Sequence, residues 1–229
     1  MSFWDADLPH LMDEAFVPGA ALAIVRDGRL AEVACCGVRH TRSPLSVDED
    51  TVFDAASLSK PVFAHVVLQL VDQGQLTLDA LLVDRLAGYI VDDPRASSIT
   101  IAHALSHCAG LPNWRTLDHP LRTYFPPGER FSYSGEGFLY LQRVVEAVTG
   151  EKLDGLAQRL VFEPLGMKRS GFVWERRFDD NRACGHDASA HQRSAISLEK
   201  PTQRGHSRPV RPITHAFLSA RWRHHVCAP

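Results

Sequence analysis

Two serine–lysine pairs in the chain have the spacing that nucleophilic catalysis requires. Ser57 and Lys60, and again Ser197 and Lys200, follow the pattern Ser-x-x-Lys, which places both side chains on one face of a helix. A serine hydroxyl is a poor nucleophile until a nearby base takes its proton, and an uncharged lysine can be that base. Burial and nearby positive charge favour the uncharged form. Either pair could equally be two ordinary residues at a helix start, so the spacing alone does not decide.

The sequence that follows each pair separates the two copies. After Lys60, residues 61–74 have apolar side chains at helical spacing and stop at a glycine, which predicts an amphipathic helix beginning near Ser57. Pro61 is tolerated in the first turn of such a helix. The backbone N–H groups at its start could also stabilise an oxyanion. No comparable helix follows Lys200, so we expect no chemistry from the second pair. For the first pair, the spacing alone still favours two ordinary residues at a helix start over a nucleophile and its base.

Tyr133 is the third candidate for chemistry. It lies in RFSYSGEGF, a loop rich in glycine and serine that precedes a predicted helix, and exposed loops of this kind often carry functional side chains. Phenols and ammonium groups ordinarily release protons at similar pH, so a tyrosine and a lysine can share or relay a proton. Taken alone, Tyr133 could also be a structural residue whose hydroxyl is hydrogen-bonded.

The elements that must position these residues form a mixed α/β pattern. An N-terminal helix is predicted for residues 5–16, and β-rich runs around Asp27-Gly28 predict a tight hairpin over residues 20–39. The middle of the chain is largely helical. Its predicted helices after the Ser57 segment fall within residues 77–90, 98–107, 137–150 and a stretch ending near 161.

Composition and charge exclude several classes of function. The net charge of −2 gives no sign of a nucleic-acid partner, but residues 189–229 contain 7 Lys/Arg against 1 Asp/Glu and lack a sustained period. We expect a boundary there: one domain over residues 1–188 and a basic tail, disordered or out of frame, over 189–229. The five cysteines show no metal or disulfide pattern. No signal peptide or membrane span is apparent, which predicts a cytoplasmic protein.

No motif indicates a cofactor or a metal. His103 and His107 have a spacing that can hold a metal, but no third ligand is evident, and His107 is predicted to hydrogen-bond the loop backbone instead. There is no Gly-x-Ser-x-Gly elbow and no phosphate-binding loop. The predicted partner is therefore a small molecule rather than a nucleic acid or a membrane, and the sequence does not indicate an oligomeric state.

Several segments in a fixed order give the chain a family resemblance. It resembles the serine β-lactamase-related family, which groups class C β-lactamases, D-alanyl-D-alanine carboxypeptidases and related esterases. The matching segments are PGAALAIVRDGRL, TVFDAASLSKPVFAHVVLQLVDQGQLTLD, ITIAHALSHCAGLP, PPGERFSYSGEGFLYLQRVVEAVTG and FEPLGMKRSGF. The resemblance implies an α/β (α+β) fold of the β-lactamase/transpeptidase type, with a helical lobe beside an antiparallel sheet.

The same resemblance implies a role for each candidate residue. Ser57 would be the acylated nucleophile, Lys60 its activating partner, and Tyr133 the base or proton shuttle. Ser134 and Gly135 would contact the substrate. The family usually has Tyr-x-Asn where this chain has Tyr133-Ser134-Gly135, so an amide that recognises β-lactams and peptides is missing.

The family's third motif, on a strand near its C-terminus, is also absent from the sequence. Together with the charge reversal near residue 189, this absence suggests that the last sheet strands are missing through truncation or a frame shift. The sequence thus predicts a serine hydrolase that acts on an ester or amide through an acyl-enzyme, its activity impaired by the missing motif. The alternative is a non-catalytic remnant of such an enzyme.

Overall fold

The computed structural model describes residues 3–116, residues 119–186 and the short strand Phe217–Leu218. The described residues divide into two compact units. One contains the chain up to Ser57, the segment from Phe162 to residue 186, and the Phe217–Leu218 strand; the other contains Leu58 to Val161. The candidate residues Lys60 and Tyr133 both belong to the second unit.

The first unit is built on antiparallel strands. Its elements are the helix α1 (Phe3–Glu14) and the strands β1 (Gly19–Arg26), β2 (Arg29–His40), β3 (Ser43–Ser46), β4 (Phe53–Asp54) and β5 (Phe217–Leu218). The first three strands pair in the order β1-β2-β3. The predicted hairpin is confirmed: Asp27 and Gly28 join β1 to β2 with φ angles of 50° and 70°, and two positive angles in a two-residue loop match the right-handed twist of the strands.

Strand β4 leads directly to the serine segment and pairs with β5, in the register Phe53 to Leu218 and Asp54 to Phe217. The sequence showed no convincing strand after residue 188, so this pairing was missed. A strand of two residues is too short to show the alternation by which strands are recognised. The other residues of the predicted basic tail lie outside the part of the chain that the structure describes.

The second unit is helical. Its helices are α2 (Ser59–Asp72), α3 (Leu82–Arg85), α4 (Ile101–Leu105), α5 (Gly135–Thr149) and α6 (Leu153–Ala157). The helix predicted from the serine segment to Gly74 is α2, and its inward face is fully buried at Phe63, Val66, Val67 and Leu70. The predicted helix that ends at Gly150 is α5, and this glycine has φ 70°, the left-handed conformation that ends many helices.

The helix predicted over residues 77–90 is mostly wrong. Only Leu82–Arg85 is helical. Leu81 forms a β-bridge with Thr100, and the Leu82 N–H donates to Ile99 O at 2.9 Å. Because the backbone at the start of this segment bonds to a distant segment, a longer helix there would lose those hydrogen bonds. Apolar spacing records burial but does not reveal which backbone partner satisfies the N–H groups.

Candidate active site

Ser57 stands on a strained turn between β4 and α2. The Asp54 carboxylate accepts a hydrogen bond from the Ala56 N–H at 3.0 Å, and Ala56 has a φ of 43°. Such a positive angle is uncommon for a residue other than glycine, and strained residues often occur at functional sites. The tight turn Ala56–Leu58 follows, and Ser57 within it is exposed. The sequence did not indicate the role of Ala56, because nothing in its residue type predicts a left-handed angle.

Lys60 is the second residue of α2, and it is only 7% exposed. Its Nζ lies 5.0 Å from the centre of the Tyr133 ring and 5.8 Å from that of Phe138. The structure therefore brings together two of the three residues selected from the sequence. The Phe138 ring packs edge-on against Phe63 of α2, with 6.2 Å between the ring centroids. It forms an apolar surface next to the Lys60 amine.

Tyr133 is held from one side by His107. The two rings stack at 4.3 Å between centroids with an angle of 29°, and the Ser134 N–H donates to His107 Nδ1 at 3.0 Å. The predicted hydrogen bond between His107 and the loop backbone is thereby confirmed. Burial and, after it, the positive charge of Lys60 lower the pKa of His107 below its usual value.

Ser134 caps the start of the helix α5. It is fully buried, its hydroxyl oxygen accepts from the Gly137 N–H at 2.8 Å, and the same hydroxyl donates to Pro112 O at 2.8 Å. A serine in this position satisfies a backbone donor that the helix itself leaves without a partner. The structure thus gives the Ser134 hydroxyl a capping role, and direct contact between this residue and a substrate stays a prediction.

Gly135 packs closely against the loop that contains Asn113 and Trp114. Its N–H donates to Asn113 Oδ1 at 3.0 Å. A Cβ added at Gly135 would lie 2.6 Å from Asn113 O and 3.6 Å from Cζ3 of Trp114. A side chain such as the asparagine expected at this place therefore cannot fit without moving backbone, which gives a physical reason for the glycine. Binding of a substrate by Gly135 stays a prediction.

A buried ion pair fixes the same loop to α5. Arg115 donates to Glu136 at 2.7 Å and to the Tyr89 hydroxyl at 2.9 Å, and the Glu136 side chain is only 6% exposed. Burial raises the pKa of Tyr89 to about 12, so its phenol stays protonated. Hydrogen bonds thus attach residues 112–115 to residues 134–136, which are the cap and the first two residues of α5. Trp114, within this loop, is 60% exposed.

The two histidines with metal-like spacing do not form one site. His103 belongs to α4, where its Nδ1 accepts from the Thr100 N–H at 3.3 Å as part of a helix cap. His107 follows the end of that helix and has a φ of 58°. Within the described ranges, no group of three His, Cys, Asp or Glu side chains could hold a metal ion. The helices of those ranges are also too short or too polar to span a membrane.

Comparison with known proteins identifies the family of the chain. A model of the family called beta-lactamase matches residues 4–218 of the chain. The chain belongs to the β-lactamase family. The match continues past residue 188, the boundary expected from the charge distribution, and includes the strand β5; the division into two domains at that residue stays a prediction.

Two relatives indicate the range of proteins in this family. The chain is 36% identical to penicillin-binding protein 4 of Amycolatopsis lactamdurans, over 73% of this chain and 48% of that protein. It is 30% identical to esterase EstB of Burkholderia gladioli, over 90% of this chain and 60% of that protein. The chain thus spans about half the length of the relatives that it matches.

The fold agrees with the family. A class C β-lactamase from Rhodobacter sphaeroides superposes with a TM-score of 0.72 at 21% identity, over 94% of this chain and 61% of that structure. The predicted α/β fold of the β-lactamase/transpeptidase type is therefore confirmed.

Proposed function

We propose that this chain carries the nucleophile and the proton-transfer groups of a serine hydrolase that cleaves a small ester or amide through an acyl-enzyme on Ser57. The observation that carries the proposal is the buried Lys60 amine, held 5.0 Å from the Tyr133 ring centre and three residues after the exposed Ser57. An amine in this setting can take a proton from a serine and pass it on through a phenol.

The proposed reaction has two similar halves. The Ser57 Oγ–H bond breaks, its proton passes to the Lys60 amine, and Oγ bonds to the carbonyl carbon of the substrate. The bond to the leaving group then breaks, and that group takes a proton delivered through Tyr133. In the second half a water molecule gives a proton to the same groups and bonds to the acyl carbon. The bond from that carbon to Ser57 Oγ then breaks, Oγ takes the proton back, and the acid leaves. Backbone N–H groups at the start of α2 would stabilise the oxyanion.

The surroundings of Tyr133 favour an ester over a β-lactam or a peptide. The close approach of Asn113 O to Gly135 leaves no room for an asparagine side chain, the group that the family uses to recognise a substrate amide. Trp114 and Phe131, which are 60% and 66% exposed, add apolar surface to the same unit. An ester with a short apolar acyl group needs no amide partner, and we expect it to acylate Ser57 faster than a penicillin does.

A labelling experiment tests the proposal. The whole chain is incubated with a fluorophosphonate or a fluorescent penicillin, and the labelled peptide is identified by mass spectrometry. We expect label on Ser57, none in Ser57→Ala, and full labelling in Ser197→Ala, the matched variant in the second Ser-x-x-Lys copy. Folded protein that takes no label from either reagent would refute the proposal and favour a non-catalytic remnant.

A further inference from the structure

We propose that His107 is a positioning residue that holds Tyr133 against Lys60 by binding the backbone on both sides of the tyrosine. The inference rests on the proposed function, because it assigns the group that orients the proposed proton shuttle.

Three separate contacts join His107 to the tyrosine segment. The His107 carbonyl accepts from the Ser132 N–H at 2.8 Å, and His107 Nδ1 accepts from the Ser134 N–H at 3.0 Å. Ser132 and Ser134 are the residues directly before and after Tyr133. Between these two hydrogen bonds, the imidazole ring stacks on the Tyr133 ring at 4.3 Å. One residue therefore fixes the backbone position and the ring plane of the tyrosine together.

The backbone of His107 is bent to make these contacts. Its φ of 58° lies in the left-handed region, which residues with a side chain seldom adopt. Neighbouring hydrogen bonds hold this bend: the His107 N–H donates to Ala104 O at 3.3 Å and the Cys108 N–H donates to His103 O at 2.8 Å. Those bonds belong to the end of α4 and would exist with other residues at position 107. The residue type is needed for the Nδ1 acceptor and the ring.

The contact to the Ser134 N–H depends on the protonation state of the imidazole. An N–H group can donate only to a ring nitrogen that carries no proton, so the contact needs Nδ1 to be bare. The charged or titratable side chains that face the ring are Lys60 from α2 and Tyr133 itself, and the other packed rings, Phe131 and Phe138, carry no charge. Protonation of His107 would remove the acceptor and place a positive charge near Lys60.

Two variants separate the side-chain contacts from the backbone bend. Asparagine and glycine both tolerate a positive φ, but only asparagine places an oxygen where His107 has Nδ1. We expect His107→Gly to slow the acylation of Ser57 on the order of 10-fold to 100-fold, the effect of misplacing a catalytic group. We expect His107→Asn to restore the rate to within about threefold of the wild type, since it keeps the acceptor. Equal rates in the two variants, whether fast or slow, would overturn the proposal.

The pH dependence gives a readout that a merely structural residue would not change. The acylation rate of the wild type should fall as the pH drops through the pKa of His107, below about 6.5. In His107→Asn the part of this acidic limb that comes from His107 should be absent, and only the part shared with the wild type should remain. An acidic limb that is the same in both proteins would contradict the assignment.

A spectroscopic measurement keeps the proposal testable if no substrate is turned over. A 3-fluorotyrosine in place of Tyr133 should show a 19F chemical-shift change as His107 titrates, and no such change in His107→Asn. If Ser57 takes no label but the 19F shift follows the titration of His107, the proposed function fails and the positioning contact stands. If the 19F chemical shift does not change as His107 titrates, the contact itself is refuted.

Discussion

Gly135→Ala tests whether the loop at Asn113 really excludes a side chain beside the tyrosine. Gly135 is the first residue of α5, and the change adds one methyl group. Two effects oppose each other. Helix propensity alone predicts that alanine stabilises the helix by up to about 1 kcal/mol relative to glycine. Steric overlap predicts the opposite, because the new Cβ would lie 2.6 Å from Asn113 O and 3.1 Å from Asn113 Oδ1.

The steric effect should be the larger one. The contacting atom at 2.6 Å is a backbone carbonyl oxygen, which cannot turn aside as a flexible side chain would. Forcing a methyl group into a packed site costs about 1–3 kcal/mol. Displacing the loop also weakens the hydrogen bond from the Gly135 N–H to Asn113, worth about 0.5–1.5 kcal/mol. We therefore expect a net loss of about 1–3 kcal/mol in the free energy of unfolding, after the gain in propensity is subtracted.

Thermal and urea denaturation, followed by circular dichroism, would measure this loss. In a chain of this size, each kcal/mol lowers the midpoint temperature by about 2–4 °C. Gly185→Ala is the matched control, because a Cβ at Gly185 has no neighbour within 4 Å, and it should change the free energy of unfolding by less than about 0.5 kcal/mol. A Gly135→Ala protein as stable as the wild type, or more stable, would refute the steric argument.

Two further changes test the ion pair beside the site and a hydrogen-bonded carboxylate elsewhere in the second unit. Arg115→Met leaves the buried Glu136 carboxylate without its cation and should lower the free energy of unfolding by about 2–4 kcal/mol in urea denaturation. The double variant with Glu136→Gln should recover part of this loss, and no recovery would contradict the ion-pair explanation. For Asp93, burial acts to raise the carboxyl pKa, but hydrogen bonds from Thr123 and then Arg95 outweigh it and lower the pKa. Ionised Asp93 should therefore give the wild type a larger free energy of unfolding than Asp93→Asn. This difference should be complete above about pH 4 and should disappear as the pH falls through the lowered pKa of Asp93. A difference that does not change with pH would disprove this.

Much of the fold could be predicted from the sequence, because its signals are local. Asp27-Gly28 fixes the hairpin, since both residues accept the positive φ angles that a two-residue loop needs. The helices α2 and α5 have regular apolar spacing, and a glycine at or just past the end of each makes its end visible. The helix wrongly predicted over residues 77–90 and the missed strand β5 also reflect the local nature of these signals. The helix α3 is short because its backbone bonds to residues far along the chain, and β5 is too short to show a pattern.

The candidate site also contains residues that the sequence could select and contacts that only the structure shows. Ser57, Lys60 and Tyr133 were selected because hydroxyl, amine and phenol groups can exchange protons and because their surroundings resemble a known family. The contacts of His107 with Tyr133 and of Asn113 with Gly135 could not be selected by spacing, since each joins residues more than twenty positions apart. Family patterns thus selected the proposed reactive groups, while only the structure showed which residues contact them.

The sequence by itself determined that this protein has a hairpin, an amphipathic helix after a serine–lysine pair, and a tyrosine in a capped loop. Each of these depends on residues within a few positions of one another, so steric and capping preferences suffice to specify them. Only the tertiary structure decided that the Lys60 amine is buried beside the Tyr133 ring and that Asn113 fills the space next to Gly135. Those features depend on which distant segments pack together to bury apolar surface, a choice made by the whole chain and not by any one stretch of it.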